Sequence, residues 1–245
     1  MKIYNIQCGY VNPVVSGKLL SKKRNRYPVY CHLIECKKGL ILVNTGLPLE
    51  GMPKDLDKYL QPEIRKGEDI VSQLNKLGYK PSDLDLVIIT HLDADAAGGL
   101  KTVQDAKKII IGDLEEYWSC RKQFKMYQPQ CFWYYTKYEK YFHKGTTLGP
   151  QNHSIDLFED ESVQLVMTPG HTFDTTAVLL QNNGKKVLLS SDIVTSVETG
   201  NSIRTYHEEY QRRSYEWVKE VAADKDCLAI FPMHPEEKLP EVFEF

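Results

Sequence analysis

Several things are scarce in this 245-residue chain. No uninterrupted apolar run approaches the ~20 residues that a bilayer crossing needs, and the start, MKIYNIQCGYVNPVV, lacks the long apolar core of a secretory signal. Cytoplasmic residence and no membrane partner are the resulting expectations. A dominant charge sign is missing too: 31 Lys and Arg stand against 33 Asp and Glu, for a formal net charge of −2. Sequence-independent nucleic-acid binding needs a strongly basic field, so nucleic acid is not an expected partner. The six cysteines (Cys8, Cys31, Cys36, Cys120, Cys131 and Cys227) form no CxxC pair, and a chain of this size needs no disulfide staples. They read as reduced and mostly buried. Repeats of short fixed period and low-complexity tracts are also absent. What remains is an ordinary globular composition, 42% hydrophobic, enough to fill a substantial core.

The first half opens with apolar runs of strand length, KIYNIQ, YPVYCHLIEC and GLILVNTG, which read as a meander. In GEDIVSQLNKLGYKPSDLD, Ile70, Val71, Leu74 and Leu77 recur at helical spacing, and Gly78 and Pro81 close the segment. Leu84 to Thr90 and Lys108 to Ile111 then read as buried strands, so helix and strand alternate as in a layered sheet. The second half repeats the theme with VQLVMT, TAVLLQ and KVLLSS, with NNG before Lys185 as a hairpin turn. A helix from about Glu208 to Ala222 carries Tyr210, Trp217, Val218 and Val221 on one face, and CLAIFP is a last strand leading into MHPEE. Two strand-rich halves, each ending in helix, predict one α/β sandwich of two sheets flanked by helices.

Between the halves, Tyr117 to Phe142 holds 11 of the chain's 26 aromatic residues. That density exceeds what one strand or one helix face can bury. Two readings stand side by side for this insertion, at about 113–150: a helical pair packed on the core or on a second subunit of a homodimer, and a lid over a substrate.

Chemistry concentrates in four fragments, each just after an apolar run: THLDADAAGG at Thr90 to Gly99, TPGHT at Thr168 to Thr172, LLSSDIV at Leu188 to Val194, and FPMHP at Phe231 to Pro235. Rigid strands hold the roots of such loops together, so their side chains converge easily, and convergence is what a metal requires. Neutral imidazole with carboxylate suits zinc, iron or manganese, and the absence of thiolate speaks against a closed structural zinc site.

Taken with PVYCHLIECKKGLILVNTG, the order of these fragments resembles the metallo-β-lactamase fold hydrolases, and within them the N-acyl homoserine lactonase branch, over roughly Tyr27 to Pro235. The resemblance implies a four-layer αββα sandwich as a single domain spanning 1–245, with metals at one edge. It implies His91, Asp93 and His171 on one ion, Asp95 and His234 on the other, and Asp192 bridging, with one or two zinc ions (Zn2+) as cofactor.

Against the family loop H-x-H-x-D-H, this chain has Asp93 for the second histidine and Ala96 for the last. Carboxylate in place of imidazole tilts the first site toward the harder Mn2+ or Fe2+, and alanine removes a ligand from the second. NTG at Asn44 to Gly46 replaces the usual DTG, and Thr195 stands where lactonases often carry a tyrosine near the substrate carbonyl. The implied reaction is hydrolysis of a small ester or lactone by a metal-bound hydroxide, with Asp95 passing the proton to the leaving oxygen. Alternatives are a degenerate, non-catalytic member that binds a small ligand, and a thioester or phosphodiester hydrolase of the same fold. His32, His143, His153 and His207 read as surface or packing residues.

Overall fold

Continuous Ile, Val and Leu runs become strands covered on both faces, and the shortest of them already shows it: Leu86–Ile89 is buried at every position. The computed structural model describes residues 1–13, 25–52, 57, 59–119 and 136–245. The chain divides into two compact units, one of residues 1–111, 116–140 and 240–244, the other of 112–115, 141–239 and 245.

In the first unit β1 (Lys2–Val11), β2 (Tyr27–Cys36) and β3 (Gly39–Val43) form the antiparallel meander, and β4 (Leu86–Ile89) and β5 (Ile109–Gly112) add in parallel. A parallel step needs a crossover connection, and α1 (Ile70–Lys76) lies on the one between β3 and β4. Asp69 caps α1 by accepting from Ser72 N at 3.0 Å, and Ile70 and Leu74 are its buried residues. Leu77, expected on the buried face, stays 38% exposed because the helix has already ended. β6 (Glu139–Tyr141) and β13 (Val242–Glu244) complete a seven-stranded sheet, in the order β13-β1-β2-β3-β4-β5-β6.

In the second unit β7 (Lys144–Gly145), β8 (His153–Asp156), β9 (Val163–Met167), β10 (Thr176–Asn182), β11 (Lys185–Ser191) and β12 (Cys227–Pro232) form a six-stranded sheet, in the order β12-β11-β10-β9-β8-β7. The expected hairpin joins β10 to β11: Asn182 pairs with Lys185, and Asn183 (φ 50°) and Gly184 (φ 75°) take the left-handed conformations of a two-residue turn. The β11 to β12 pairing is parallel, and its crossover carries the helix Glu208–Ala223, named α4 below because two short helices precede it. Trp217 and Val218 of that helix pack on Val166, Ala177, Leu179 and Leu188. Tyr210, expected on the same face, is 36% exposed and instead lies against the ring of His207, the N-cap, at 4.4 Å.

The short helices are α2 (Ala94–Ala97) and α3 (Asp113–Ser119). Of the aromatic insertion, residues 120–135 fall outside the described part. Of its described aromatics, Tyr141 is buried while Tyr117 and Phe142 are exposed. All four described cysteines are free, Cys8 and Cys31 buried, Cys36 and Cys227 half-buried. Among the described residues no helix is long and apolar enough to cross a membrane.

Candidate metal centre

β4 delivers Thr90 and His91 into the loop from a fully buried strand, and α2 starts two residues later with Asp93 as its N-cap. Behind the loop, backbone packs on backbone. Gly99 N donates to Gly46 O at 3.1 Å and Thr45 N to Ala96 O at 2.7 Å. A Cβ on Gly98 would stand 2.3 Å from Ala94 O and from Pro48 Cδ, and one on Gly99 would stand 2.4 Å from Thr45 O. The alanines and glycines that close the motif therefore serve close approach, and they leave His91, Asp93 and Asp95 buried and turned to one another. One ligand atom from each lies within 4.8 Å of the other two.

The imidazole of His91 is held in one tautomer. Thr90 N and Thr90 Oγ1 both donate to Asn44 Oδ1, each at 3.0 Å, which commits the single hydroxyl proton. His91 Nδ1, 3.0 Å from Thr90 Oγ1, must then carry the hydrogen between them, and Nε2 keeps its lone pair. Asn44 thus does from NTG what an aspartate would do from DTG, and its left-handed backbone (φ 63°) is one that asparagine tolerates. His91 Nε2 lies 4.0 Å from Asp93 Oδ2.

In the second unit the same logic applies to His171. Its Nδ1 is 3.1 Å from the backbone oxygen of Arg204, which can only accept, so this nitrogen is protonated and Nε2 bears the lone pair. Gly170 (φ 141°) sets up the turn, where a Cβ would meet Gln211 at 2.5 Å, and its carbonyl accepts from Tyr206 N at 2.8 Å. Thr172 Oγ1 donates to buried Glu115 Oε2 at 2.7 Å and so anchors the far side of the loop. Asp192 follows β11 and His234 follows β12, and Met233 N donates to Ser191 O at 3.1 Å, which ties the two strand ends together. One oxygen, Asp192 Oδ2, lies 3.3 Å from His171 Nε2 and 3.3 Å from His234 Nε2.

That geometry tests the fit of an ion. His171 Nε2 presents its lone pair to a carboxylate oxygen at 3.3 Å, with the Arg204 guanidinium nitrogen Nη2 3.5 Å away, so the nitrogen and the oxygen together face positive charge. Imidazole nitrogens and carboxylate oxygens, tautomers fixed by a threonine and a carbonyl, are what a divalent cation takes as ligands. The donor sets of both units fit such an ion.

Thr195 has another occupation. Its hydroxyl donates to Glu236 Oε1 at 2.8 Å and its amide to Asn201 O at 2.7 Å, while Glu236 N donates back to Thr195 O at 3.1 Å. Donors from Asn201, Thr195 and Thr199 hold the Glu236 carboxyl below the usual carboxylate range. Among the unassigned histidines, His32 is buried against Asn5 Oδ1 at 2.7 Å and burial pushes its pKa down to about 3. The His143 side chain pairs with buried Asp174 at 3.3 Å, His153 contacts Gln151 O at 2.7 Å, and His207 caps α4. Thr90, Glu115 and Arg204 were not legible as site residues in the sequence. Thr90 alone had a local signal, its place beside His91.

A family model described as the metallo-beta-lactamase superfamily matches residues 24–234. An N-acyl homoserine lactonase of Bacillus cereus is 28% identical over 172 residues, 66% of this chain and 62% of that enzyme. One from Bacillus thuringiensis is 27% identical over 202 residues, 78% of this chain and 75% of that enzyme. Among solved structures, a quorum-quenching N-acyl homoserine lactone hydrolase has a TM-score of 0.76 at 26% identity, covering 96% of this chain and 92% of that one. Another N-acyl homoserine lactone hydrolase, solved with N-hexanoyl-L-homoserine at its catalytic metal center, has a TM-score of 0.78 at 24% identity over 96% of this chain and 93% of that one. Two mixed sheets with helices match the αββα sandwich class expected from the sequence. Matched from residue 24 to 234 and folded as these hydrolases are, the chain belongs to the metallo-β-lactamase superfamily.

Proposed function

We propose that this superfamily hydrolase acts on a small ester or lactone in the manner of the N-acyl homoserine lactonases. His91, Asp93 and His171 hold one ion, Asp95 and His234 the other, and Asp192 is shared. The observation that carries this reading is the paired tautomer lock: Thr90 Oγ1 and the Arg204 carbonyl each accept from the Nδ1–H of a histidine, which leaves Nε2 for an ion. Buried His32 has its Nδ1 partnered too, by Asn5; what sets His91 and His171 apart is that their Nε2 faces carboxylate oxygens.

A divalent ion on these donors supplies Lewis-acid polarisation of the scissile carbonyl and lowers the pKa of a water toward neutrality. The chain's residues do the rest. Asp95, buried at the start of α2, carries the proton to the leaving oxygen. Asn44 with Thr90, and Glu115 with Thr172, keep the two histidine loops from rotating. The aromatic insertion at about 113–150 selects the acyl chain as a lid or joins a second copy in a homodimer. Zinc is the first choice of ion, and Asp93 makes manganese or ferrous iron good alternatives. The test is turnover by protein loaded separately with Zn2+, Mn2+ and Fe2+, on a panel of lactones, thioesters and phosphodiesters. Lactone opening that a chelator abolishes is the expected result, and silence on the whole panel would sink the reading.

Ala96 favours a second reading, a small-ligand-binding member without turnover. Its methyl is fully buried and offers no donor, so one ion is under-held. Metal content and lactone turnover of Ala96→His decide between them. Activity present only in the histidine variant would make the chain a binder.

A further inference from the structure

With its hydroxyl committed to Glu236, Thr195 leaves open which group in the second unit meets negative charge on a reacting oxygen. Arg204 is placed for that task. Its backbone oxygen fixes His171 Nδ1, while its guanidinium Nη2 stands 3.5 Å from His171 Nε2, the nitrogen left for an ion. One residue therefore orients the ligand and brings a permanent positive charge to the same edge of the ring.

The placement is built rather than casual. The guanidinium lies 4.7 Å from the centroid of the Tyr206 ring, and Tyr206 stacks on Phe173 with centroids 6.2 Å apart. Ser202 Oγ lies 2.9 Å from Arg204 O and 3.4 Å from Asp192 O, and Tyr206 N donates to Gly170 O at 2.8 Å, so both flanks of Arg204 are pinned to the loops that carry His171 and Asp192. Arg204 is half-buried, open enough to touch a ligand and covered enough for its charge to act strongly. An ion held by His171 would supply a second positive charge on this side of the ring, so the guanidinium and the ion together would favour an anionic oxygen there.

We propose that Arg204 binds the anionic oxygen of the reaction: the oxyanion formed on the ester or lactone carbonyl and then the carboxylate of the product. This rests on the hydrolase reading above. Water oxygen adds to the carbonyl carbon, and the C=O electron pair moves onto the oxygen that Arg204 receives. Collapse re-forms the double bond and breaks the C–O bond to the leaving alkoxide, which takes a proton. The products are a carboxylic acid, ionised at neutral pH and retained by the guanidinium, and an alcohol.

The experiment uses the full chain loaded with Zn2+ and two variants, Arg204→Met and Arg204→Lys. Calorimetric binding of hexanoate and of 4-hydroxybutyrate is measured beside zinc content, the thermal midpoint and lactone kinetics. Arg204→Met keeps its backbone carbonyl on His171, so zinc content and thermal midpoint should hold. Carboxylate affinity should fall about 10-fold or more, since a charge-assisted, forked contact is lost, and Arg204→Lys should recover part of it. Where lactones are turned over, kcat should drop by roughly 10²-fold with KM for a neutral lactone little changed, the pattern of a group engaged only as charge develops. Unchanged carboxylate affinity in Arg204→Met overturns the proposal. So does loss of zinc together with carboxylate, which would make Arg204 a residue that merely positions His171. If the wild-type chain hydrolyses no lactone, the functional reading fails, and the carboxylate arm still decides the role of Arg204.

Discussion

At the scale of single residues, the site depends on where protons sit. Thr90→Val removes the hydroxyl that takes His91 Nδ1–H and leaves a shape of similar size. His91 is then free to choose the other tautomer, and metal affinity should fall by about 10 to 100-fold, as for other lost partners of ligating histidines. Competition with a fluorescent chelator measures this. An unchanged affinity would show that the Thr90 contact does not set the ring. Glu115→Gln should do less harm, because its amide oxygen can still accept from Thr172; Glu115→Ala leaves that buried hydroxyl without the contact and should cost about 1–3 kcal/mol in urea unfolding. The six proposed ligands came from the resemblance of the four fragments, each just after an apolar run, to a known family. Glu115 was not legible there, since nothing near it in the chain hints that it meets Thr172, 57 residues away.

At the scale of elements, strands declared themselves when they were apolar, and failed to when they were short and polar. β1 to β5 and β9 to β12 follow from composition and turn signals. β6, β7, β8 and β13 have two to four residues and are largely polar, whereas the equally short β4 and β5 are runs of Ile, Leu and Val; the polar ones form because a neighbour offers unpaired backbone. Tyr210 was misplaced for a related reason: helical spacing allowed it on the α4 face, but the part of α4 that packs on the sheet runs from Ser214 to Val221, and Tyr210 lies a turn before it. Two predictions belong here. Trp217→Ala should cost about 3–5 kcal/mol by removing the largest side chain between α4 and the sheet, read as a lowered urea midpoint at unchanged slope. Gly46→Ala should also be strongly destabilising. Its φ of 70° disfavours a side chain, and the added carbon would lie 2.5 Å from Cys8 Cβ in a packed interior. A thermal midpoint within a degree or two of wild type would refute that account.

At the scale of the whole molecule, buried His32 makes stability depend on pH. Its folded pKa is about 3 against 6.5 for the free group, so the unfolded chain takes up a proton near pH 6.5 and the folded chain only near pH 3. The contribution is complete above pH 6.5 and is lost as pH falls toward 3, by roughly 1.4 kcal/mol per unit within that window. Urea unfolding at pH 4, 5, 6 and 7.5 should show that slope in the wild type and a shallower one in His32→Leu. Parallel slopes would mean that His32 does not carry the effect.

Sequence alone determined two strand-rich halves with their main strands and helices, because periodicity and glycine placement are local properties; the sandwich class and the proposed ligand positions came from its resemblance to a known family. Tertiary structure decided which nitrogen each histidine presents, why alanine and glycine follow Asp95, and that Thr195 is committed elsewhere. Those outcomes rest on hydrogen bonds and contacts between residues far apart in the chain, such as Thr90 with Asn44 and His171 with Arg204, 46 and 33 positions away. No local pattern encodes such a meeting; only the folded backbone brings the two groups to hydrogen-bonding distance.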